Sequence, residues 1–356
     1  MFLMPKFLFM ATPGAPLFRN KQGRGTIDLL QILCLWFWTC LWLFALTMSV
    51  CLILGWTSGD RLLLVRLTRY LLPWVLLSLL AGLIPAVLFR RVWLALALTG
   101  PALVIAFSYL PVFLPNHAPP PGDRVLLKVM SFNVWSENQS LLQVAQLIRE
   151  KAPDILMLQE ITSGQIRELT LALEKSPDGT RAGWNVAYAP QVLQAVVSRY
   201  PVTPLRSSLK IAKVQAVRVA TPAGEVTVFN VHPRRGNWKG RHRQLATLLQ
   251  EDVLTAPGPV ILGGDFNTTD KSQTYRMLSR HLHNAHWEAG RGFGFTYPAY
   301  QHAWNEFLPA WPLVRIDHIF YSQDFFAVTA ETLKEPCGSD HLPVMASLAL
   351  KEKPKR

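Results

Sequence analysis

Three long stretches without a charged side chain dominate the first third of the chain. They cover residues 29–56, 70–89 and 92–116. A helix that crosses a bilayer needs about 20 mostly apolar residues, so each stretch is long enough. Three such stretches joined by short basic connections indicate three transmembrane helices rather than buried helices of a soluble core. The first begins too late and is too long for a cleaved signal peptide.

The lysines and arginines beside these stretches predict their orientation. Four lie in the N-terminal tail and two, Arg90 and Arg91, separate the second and third stretches, whereas three (Arg61, Arg66 and Arg69) lie in the first connection. Basic residues near spans favour the cytoplasmic side. We therefore expect a multi-pass protein of the cell membrane with a cytoplasmic N-terminus, whose C-terminal part lies outside the cytoplasm after three crossings.

The composition divides the chain into five parts. They are a basic tail (1–27), a membrane domain (28–116), a proline-rich linker (117–123), a large C-terminal domain (124–350) and a basic end (351–356). More than half of the net charge of +13 belongs to the first 116 residues, and +6 remains for the rest. That remainder favours an anionic partner: nucleic acid, a phosphorylated headgroup or the membrane surface.

The C-terminal domain alternates strand-like and helix-like segments, which predicts an α+β fold with two packed sheets and helices outside them. The predicted helices are 139–151, 165–174 and 243–254. The predicted strands are 125–133, 154–159, 185–189, 193–198, 214–220, 225–231, 260–263, 314–320 and 344–350.

Polar residues follow several of the apolar strand-like runs. They are Asn133 in SFNVW, Glu160 in LQE, His232 in NVHP, Asp265 and Asn267 in GGDFN, Asp317 in RIDH, and Asp340 and His341 in GSDH. Strand ends gathered at one rim would bring carboxylate and amide oxygens together, and Mg²⁺ prefers such ligands. Taken singly, an Asp after a buried strand is more often a turn former or a helix cap.

The whole ordered set resembles the endonuclease/exonuclease/phosphatase superfamily, in particular its deoxyribonuclease and sphingomyelinase branches. The resemblance covers roughly residues 125–350. It implies a two-sheet β-sandwich flanked by helices, here preceded by three transmembrane helices. It also implies hydrolysis of a phosphoester with Mg²⁺, or with Mn²⁺ in its place.

The resemblance assigns a metal role to three residues. Asn133 and Glu160 match the metal-binding pair of the family, with Glu160 as the principal Mg²⁺ ligand. Asp340 matches an auxiliary carboxylate near the metal.

Five further residues match catalytic positions of the family. Asp265 corresponds to the group that orients and helps to deprotonate the attacking water. Asn267 corresponds to the amide that steadies the phosphoryl oxygens. His341 would contact the scissile phosphate, with Asp317 fixing its orientation and protonation. His232 would contact phosphate or protonate the leaving oxygen.

Three functions follow, and the sequence does not choose finally among them. The first is hydrolysis of a lipid-linked phosphodiester or pyrophosphate by an enzyme held on the bilayer. The second is a surface-tethered nuclease acting on DNA or RNA, and the third is a non-enzymatic protein with a relic fold. The intact motifs argue against the third, and the modest charge of the C-terminal domain favours the first over the second. No protein partner can be inferred.

Two other segments have alternative interpretations. The basic segment 234–243 is either a solvated loop and helix start or a grip on phosphates or anionic headgroups. The aromatic stretch 293–311 either packs in the core, or stacks on a base or dips into the bilayer interface.

Overall fold

A computed structural model of the chain describes residues 28–114, 125–174, 183–205, 214–222, 224–233, 236–299 and 311–351. The basic tail (1–27), the proline-rich linker (117–123) and residues 352–356 lie outside them, so the domain boundaries predicted there stay predictions.

Four helices form the N-terminal part. They are α1 (Leu29–Thr57), α2 (Leu63–Tyr70), α3 (Leu72–Leu88) and α4 (Val92–Tyr109), the last extended by a 3₁₀ turn at Leu110–Val112. By length and apolar composition, α1 and the α4 segment can each cross a membrane, and α2 with α3 make a third candidate that is bent by 85°. This agrees with the predicted apolar helices before the C-terminal domain, and it adds the short helix α2.

The bend between α2 and α3 follows from the sequence. Pro73 has no N–H to continue the hydrogen bonding of α2, whereas proline is well tolerated in the first turn of α3. In α2, Val65 and Arg69 are buried and Leu63 and Leu64 are exposed. Helix α2 is thus amphipathic, and the α2–α3 pair has the sharp bend of a broken span or a re-entrant loop.

The C-terminal domain contains two six-stranded sheets. The first has the order β11-β12-β1-β2-β4-β3 and the second β5-β6-β7-β8-β10-β9. The strands are β1 (Leu126–Asn133), β2 (Ile155–Gln159), β3 (Asn185–Ala189), β4 (Gln194–Ser198), β5 (Val202–Leu205), β6 (Val214–Thr221), β7 (Gly224–Val231), β8 (Val260–Asp265), β9 (His283–Asn284), β10 (Asp317–Tyr321), β11 (Phe325–Thr332) and β12 (Val344–Leu350).

Each sheet is covered on its outer face by helices. In β1, Leu127 and Val129 point into the core between the sheets, whereas Met130 and Phe132 join the core beneath the helices. Both faces of β1 are therefore buried from Val129 to Asn133, which explains why the strand is mainly apolar. The helices are α5 (Leu141–Lys151) and α6 (Ser163–Glu174) on the first sheet, α7 (Trp238–Leu248, continued by a π turn at Leu249–Val253) and α8 (Gln273–Leu278) on the second, and α9 (Ala285–Ala289). The predicted α+β sandwich is confirmed.

Some boundaries differ from the sequence prediction. Helix α7 begins at Trp238 instead of 243, because the side chain of Asn237 caps it by accepting the Gly240 N–H at 3.1 Å. Strand β10 begins at Asp317 instead of 314, and Val314 forms only an isolated bridge with Tyr297.

The N-terminal helices α1, α3 and α4 contact the C-terminal domain through one set of ends. Near the end of α1, Gly55 O accepts a hydrogen bond from Arg276, and near the end of α4, Ser108 O accepts one from Lys271. At the start of α3, Trp74 Nε1 donates to a carbonyl of the domain. The start of α1 and the turn between α3 and α4 therefore lie at the opposite end of the bundle, away from the C-terminal domain.

Replacing Gly264 by alanine should destabilise the fold. Gly264 has φ +147°, and a Cβ there would lie 1.9 Å from the backbone oxygen of Val231 on the neighbouring strand. We expect a loss of roughly 2–3 kcal/mol, or about 5–10 °C in melting temperature. Thermal unfolding of the full-length protein in detergent, followed by circular dichroism, measures it. Gly164→Ala, on α6 with open space around it, is the matched control and should not lower the melting temperature.

Candidate active site

The predicted site residues gather at one rim of the sandwich because of the strand directions. Strands β1 and β2 run parallel, as do β7 and β8, so each pair ends at the same rim. Asn133 and Asp265 are the last residues of β1 and β8, and Glu160 and His232 follow β2 and β7 directly.

Asp317 reaches the rim in a different way from that predicted. It begins β10 instead of following a strand, and β10 runs antiparallel to β8 with Asp317 opposite Asp265. His341 lies in the loop before β12, which is antiparallel to β1. Strand starts and strand ends thus meet at one place.

Asp265 is the centre of the arrangement and is completely buried. Its Oδ2 accepts a hydrogen bond from Asn133 Nδ2 at 3.2 Å, and it lies 3.6 Å from His232 Nε2 and 3.7 Å from His341 Nε2. The carboxylate of Glu160 shares two of these neighbours, at 3.2 Å from Asn133 Nδ2 and 3.4 Å from His232 Nε2. Two carboxylates and two imidazoles therefore converge on one small volume.

Asn267 is held beside Asp265 by a tight turn. Its backbone N–H donates to Asp265 Oδ1 at 2.8 Å, and its Nδ2 lies 3.3 Å from Asp265 Oδ2. The amide also donates to Pro233 O at 3.4 Å, next to His232. This side chain can turn its N–H groups toward an anion at the same rim.

His341 forms a buried pair with Asp317. His341 Nδ1 lies 2.9 Å from Asp317 Oδ2, which leaves Nε2 facing Asp265. Burial lowers the pKa of His341, but the charges of Asp317 and Asp265 outweigh it and raise the pKa to about 9. At neutral pH the ring is a cation, and a cation suits contact with an anionic phosphate.

The alkaline limb of the pH profile tests this pair. Since His341 is charged below its pKa, activity that needs the cation should fall as the pH rises through that pKa. Asp317→Asn removes the largest stabilisation of the cation. We expect the alkaline limb of kcat/KM to move about one unit or more to lower pH. An unmoved limb, measured at fixed metal concentration, would contradict the pairing.

The donors at the rim fit a divalent cation. Ligand atoms of Asp265, Asp317 and His341 all lie within 4.8 Å of one another. However, the Nδ1 of His341 is engaged with Asp317, so the carboxylates of Asp265 and Glu160 are the pair that could hold a cation. Two buried or half-buried carboxylates facing the same neighbours repel each other, and a hard cation between them removes the repulsion.

Asn133 and Asp340, the other two predicted metal ligands, have different surroundings from Glu160. Asn133 directs its N–H₂ group toward the carboxylates, and its Oδ1 accepts the N–H of Trp135 at 3.1 Å. Ligation by Asn133 therefore requires its amide to turn over. Asp340 is half-buried beside His341, and its charge adds to the raised pKa of that histidine.

Strained backbone surrounds the carboxylates. Glu160, Trp135 and Asn267 all have positive φ, at 53°, 63° and 50°. Such conformations cost free energy for residues with a side chain and persist where the surrounding structure enforces them. Here they occur in three turns that surround the same small volume.

A buried amide network supports the rim from below. Gln159 Nε2 donates to Asn230 Oδ1 at 2.7 Å across the two sheets, and Asn230 donates to the Leu158 carbonyl at 2.9 Å. Ser339 Oγ donates to Asn133 O at 2.6 Å and also accepts the N–H of His341. These contacts fix the strand ends relative to each other.

Three neighbours of the site were not assigned to it from the sequence. Tyr70, at the end of α2, donates from its hydroxyl to the backbone oxygen of Asn267 at 2.9 Å. Arg241 donates to the same hydroxyl at 2.8 Å and is buried, so this residue of the basic segment does not lie in a solvated loop. The ring of Tyr297 lies 4.9 Å from that of His341. Tyr297 in the aromatic stretch and Arg241 in the basic segment 234–243 each gave a signal in the sequence, whereas Tyr70 gave none.

The aromatic stretch has a packing role where the structure describes it. Phe293 contacts Tyr109 and Phe113 at the end of α4, and Phe295 stacks against Trp74. Residues 300–310 lie outside the described part of the chain.

Comparisons with known proteins agree with this fold and rim. A profile of the Endonuclease/Exonuclease/phosphatase family matches residues 130–341. Among solved structures, a family protein from Bacteroides thetaiotaomicron aligns with TM-score 0.51 and 20% identity, over 65% of this chain and all of the other. One from Bacteroides vulgatus aligns with TM-score 0.50 and 19% identity, over 64% of this chain and all of the other. A search of curated proteins finds no match.

The fold and the site define an enzyme of the phosphoester hydrolase class. The chain belongs to the endonuclease/exonuclease/phosphatase family, as its motifs predicted.

Proposed function

We propose that this protein is a membrane-anchored, Mg²⁺-dependent hydrolase of a lipid-linked phosphodiester or pyrophosphate, acting outside the cytoplasm. The partners would be the bilayer and the phosphoester itself, and Mn²⁺ could replace Mg²⁺.

The contact between Tyr70 and Asn267 carries this proposal. Tyr70 ends α2, the amphipathic helix that we place at the bilayer surface, and only Leu71 separates it from α3. Its hydroxyl donates a hydrogen bond to the turn that holds Asp265 and Asn267. The catalytic rim is therefore close to the segment expected at the bilayer surface. A substrate confined to that surface would meet the rim at a high effective concentration.

The side chains at the rim suit hydrolysis. Asp265 can accept a proton from water, while Asn267 and the cationic His341 can donate hydrogen bonds to the phosphoryl oxygens. His232, 3.4 Å from Glu160 and 3.6 Å from Asp265, is placed to protonate a leaving oxygen. A divalent cation held by Glu160 and Asp265 would neutralise the phosphate charge and act as a Lewis acid.

One observation favours the nuclease alternative. Lys239 and Arg243 are exposed at the start of α7, a few residues after His232, and Lys239 and Arg66 lie against the ring of Trp238. Exposed cations beside an aromatic ring are typical of surfaces that bind single-stranded nucleic acid. The same surface also suits anionic headgroups. It is therefore weaker evidence than the contact between the rim and α2.

The deciding experiment uses the full-length protein in phospholipid nanodiscs with Mg²⁺. Phospholipids and a polyprenyl pyrophosphate are supplied in the disc, and plasmid DNA and single-stranded RNA in solution. We expect release of headgroup or phosphate that stops with EDTA, and nucleic-acid cleavage slower by at least about tenfold in kcat/KM. Asp265→Asn is the inactive control. Rapid DNA or RNA cleavage that this variant loses would establish the nuclease instead.

The orientation of the chain is a separate prediction. The described helices place Arg90 and Arg91 at the end of the bundle away from the C-terminal domain, which supports a cytoplasmic location for that turn. A reporter fused after the last residue should be active only outside the cytoplasm. Activity inside the cell would reverse the proposed topology.

A further inference from the structure

A cleft of about 190 Å³ lies between the membrane helices and the C-terminal domain. Its wall along α1, α3 and α4 is mostly apolar, formed by residues such as Leu52, Leu72, Val104 and Ile105. Its other side carries three cationic side chains, those of Arg69, Lys271 and Arg276. None of the predicted site residues lines this cleft. It is therefore a second feature, separate from the catalytic rim.

The three cations are only partly balanced within the described part of the chain. Arg69 pairs with Asp60 at 2.9 Å. Arg276 donates to the Gly55 carbonyl at 3.2 Å and Lys271 to the Ser108 carbonyl at 2.6 Å, and a carbonyl carries no net charge. One carboxylate thus faces three cations, so an additional anion would be stabilised there.

A second carboxylate near Lys271 does not remove this excess. Asp270 forms a buried ion pair with Arg315 instead. Burial lowers the pKa of Lys271 to about 8, only partly offset by Asp270. Its ammonium group lies against the rings of Tyr109 and Trp287, at 4.4 and 4.1 Å from their centroids. A bound anion would restore the charge balance of this group.

The position of the cleft indicates which anion it takes. It lies where α1 and α4 reach the C-terminal domain, at the expected level of the bilayer surface, and Trp56 at its edge is exposed as interfacial tryptophans commonly are. We propose that the cleft binds one anionic phospholipid of the surrounding bilayer, with the phosphate on Arg69, Lys271 and Arg276. The acyl chains lie along the apolar wall.

Native mass spectrometry of the full-length protein in detergent with EDTA tests the site. The protein is titrated with dioleoyl phosphatidylglycerol and, separately, dioleoyl phosphatidylcholine. We expect one phosphatidylglycerol per chain, bound at least about tenfold more tightly than phosphatidylcholine. Lys271→Gln combined with Arg276→Gln should weaken phosphatidylglycerol by at least about tenfold. Because EDTA prevents turnover, the result does not depend on which phosphoester is hydrolysed.

Arg280→Gln is the matched control, since Arg280 is exposed, lies close to Arg276 and does not line the cleft. It removes one positive charge beside the cleft, where the double variant removes two from its lining, and it should leave binding unchanged. Equal affinity for the two lipids would overturn the proposal, as would equal weakening by Arg280→Gln. Wild-type binding by the double variant, with an unchanged melting curve, would also overturn it. Displacement of the lipid by millimolar inorganic phosphate would show a free-phosphate site instead.

Discussion

Asp265→Asn should lower kcat by roughly 10³-fold while the protein stays folded. Asparagine has the same shape but no negative charge, and it cannot take a proton from water. The carboxylate is completely buried and lies within 3.7 Å of polar atoms of Asn133, His232, Asn267 and His341. No neighbouring group can therefore replace it without moving the whole rim.

Turnover of the best substrate found in nanodiscs is the measurement, and Asp154→Asn is the matched control. Asp154 precedes β2, at the end of the sheet opposite the rim, and it accepts the Lys128 N–H at 2.8 Å. Asparagine can still accept that hydrogen bond, so activity should be retained. A near-normal rate for Asp265→Asn, with a wild-type melting curve, would show that the assigned role is wrong.

Much of the fold could be predicted from the sequence because buried strands have a distinctive pattern. β2 is covered on both faces and appears as an apolar run, and β1 is buried from Val129 to Asn133 and is mainly apolar. The strands Val202–Leu205 and Phe325–Thr332 were missed, and both lie at sheet edges, where half-exposed side chains weaken the pattern. Pro204 weakened the signal of the first further.

The membrane part could be predicted only in part, for a different reason. Length and apolar composition identify α1 and α4, but α2 has only eight residues and mixes leucines with Arg66 and Arg69. Its direction depends on contacts with residues about 200 positions away, such as Tyr70 with Asn267. Nothing local in the sequence encodes that contact.

The candidate site shows the same division. The motifs indicate which side chains belong together, since each follows or begins a strand of known direction once the family fold is assumed. They do not indicate the strained backbone at Glu160 or the amide orientation of Asn133, which depend on hydrogen bonds across both sheets. The sequence therefore predicts which residues form the site, but not which of their atoms contact one another.

Glu160→Gln should lower kcat by at least about a hundredfold and raise the Mg²⁺ concentration needed for half-maximal activity. Glutamine keeps the length of the side chain but removes the charge that would hold the cation beside Asp265. Glu160 has φ 53°, and this backbone conformation directs the side chain at position 160 to the rim. The direction does not depend on the charge of the side chain. The loss should therefore come from metal binding and turnover instead of folding.

Glu168→Gln is the matched control, because Glu168 is exposed on α6 and the same charge is removed. Isothermal titration of Mg²⁺ into both variants and the wild-type protein separates metal affinity from turnover. We expect weakened binding only for Glu160→Gln, with partial recovery of its rate at high Mg²⁺. Unchanged affinity together with a normal rate would move the cation elsewhere, to the neighbouring cluster of Asp265, Asp317 and His341.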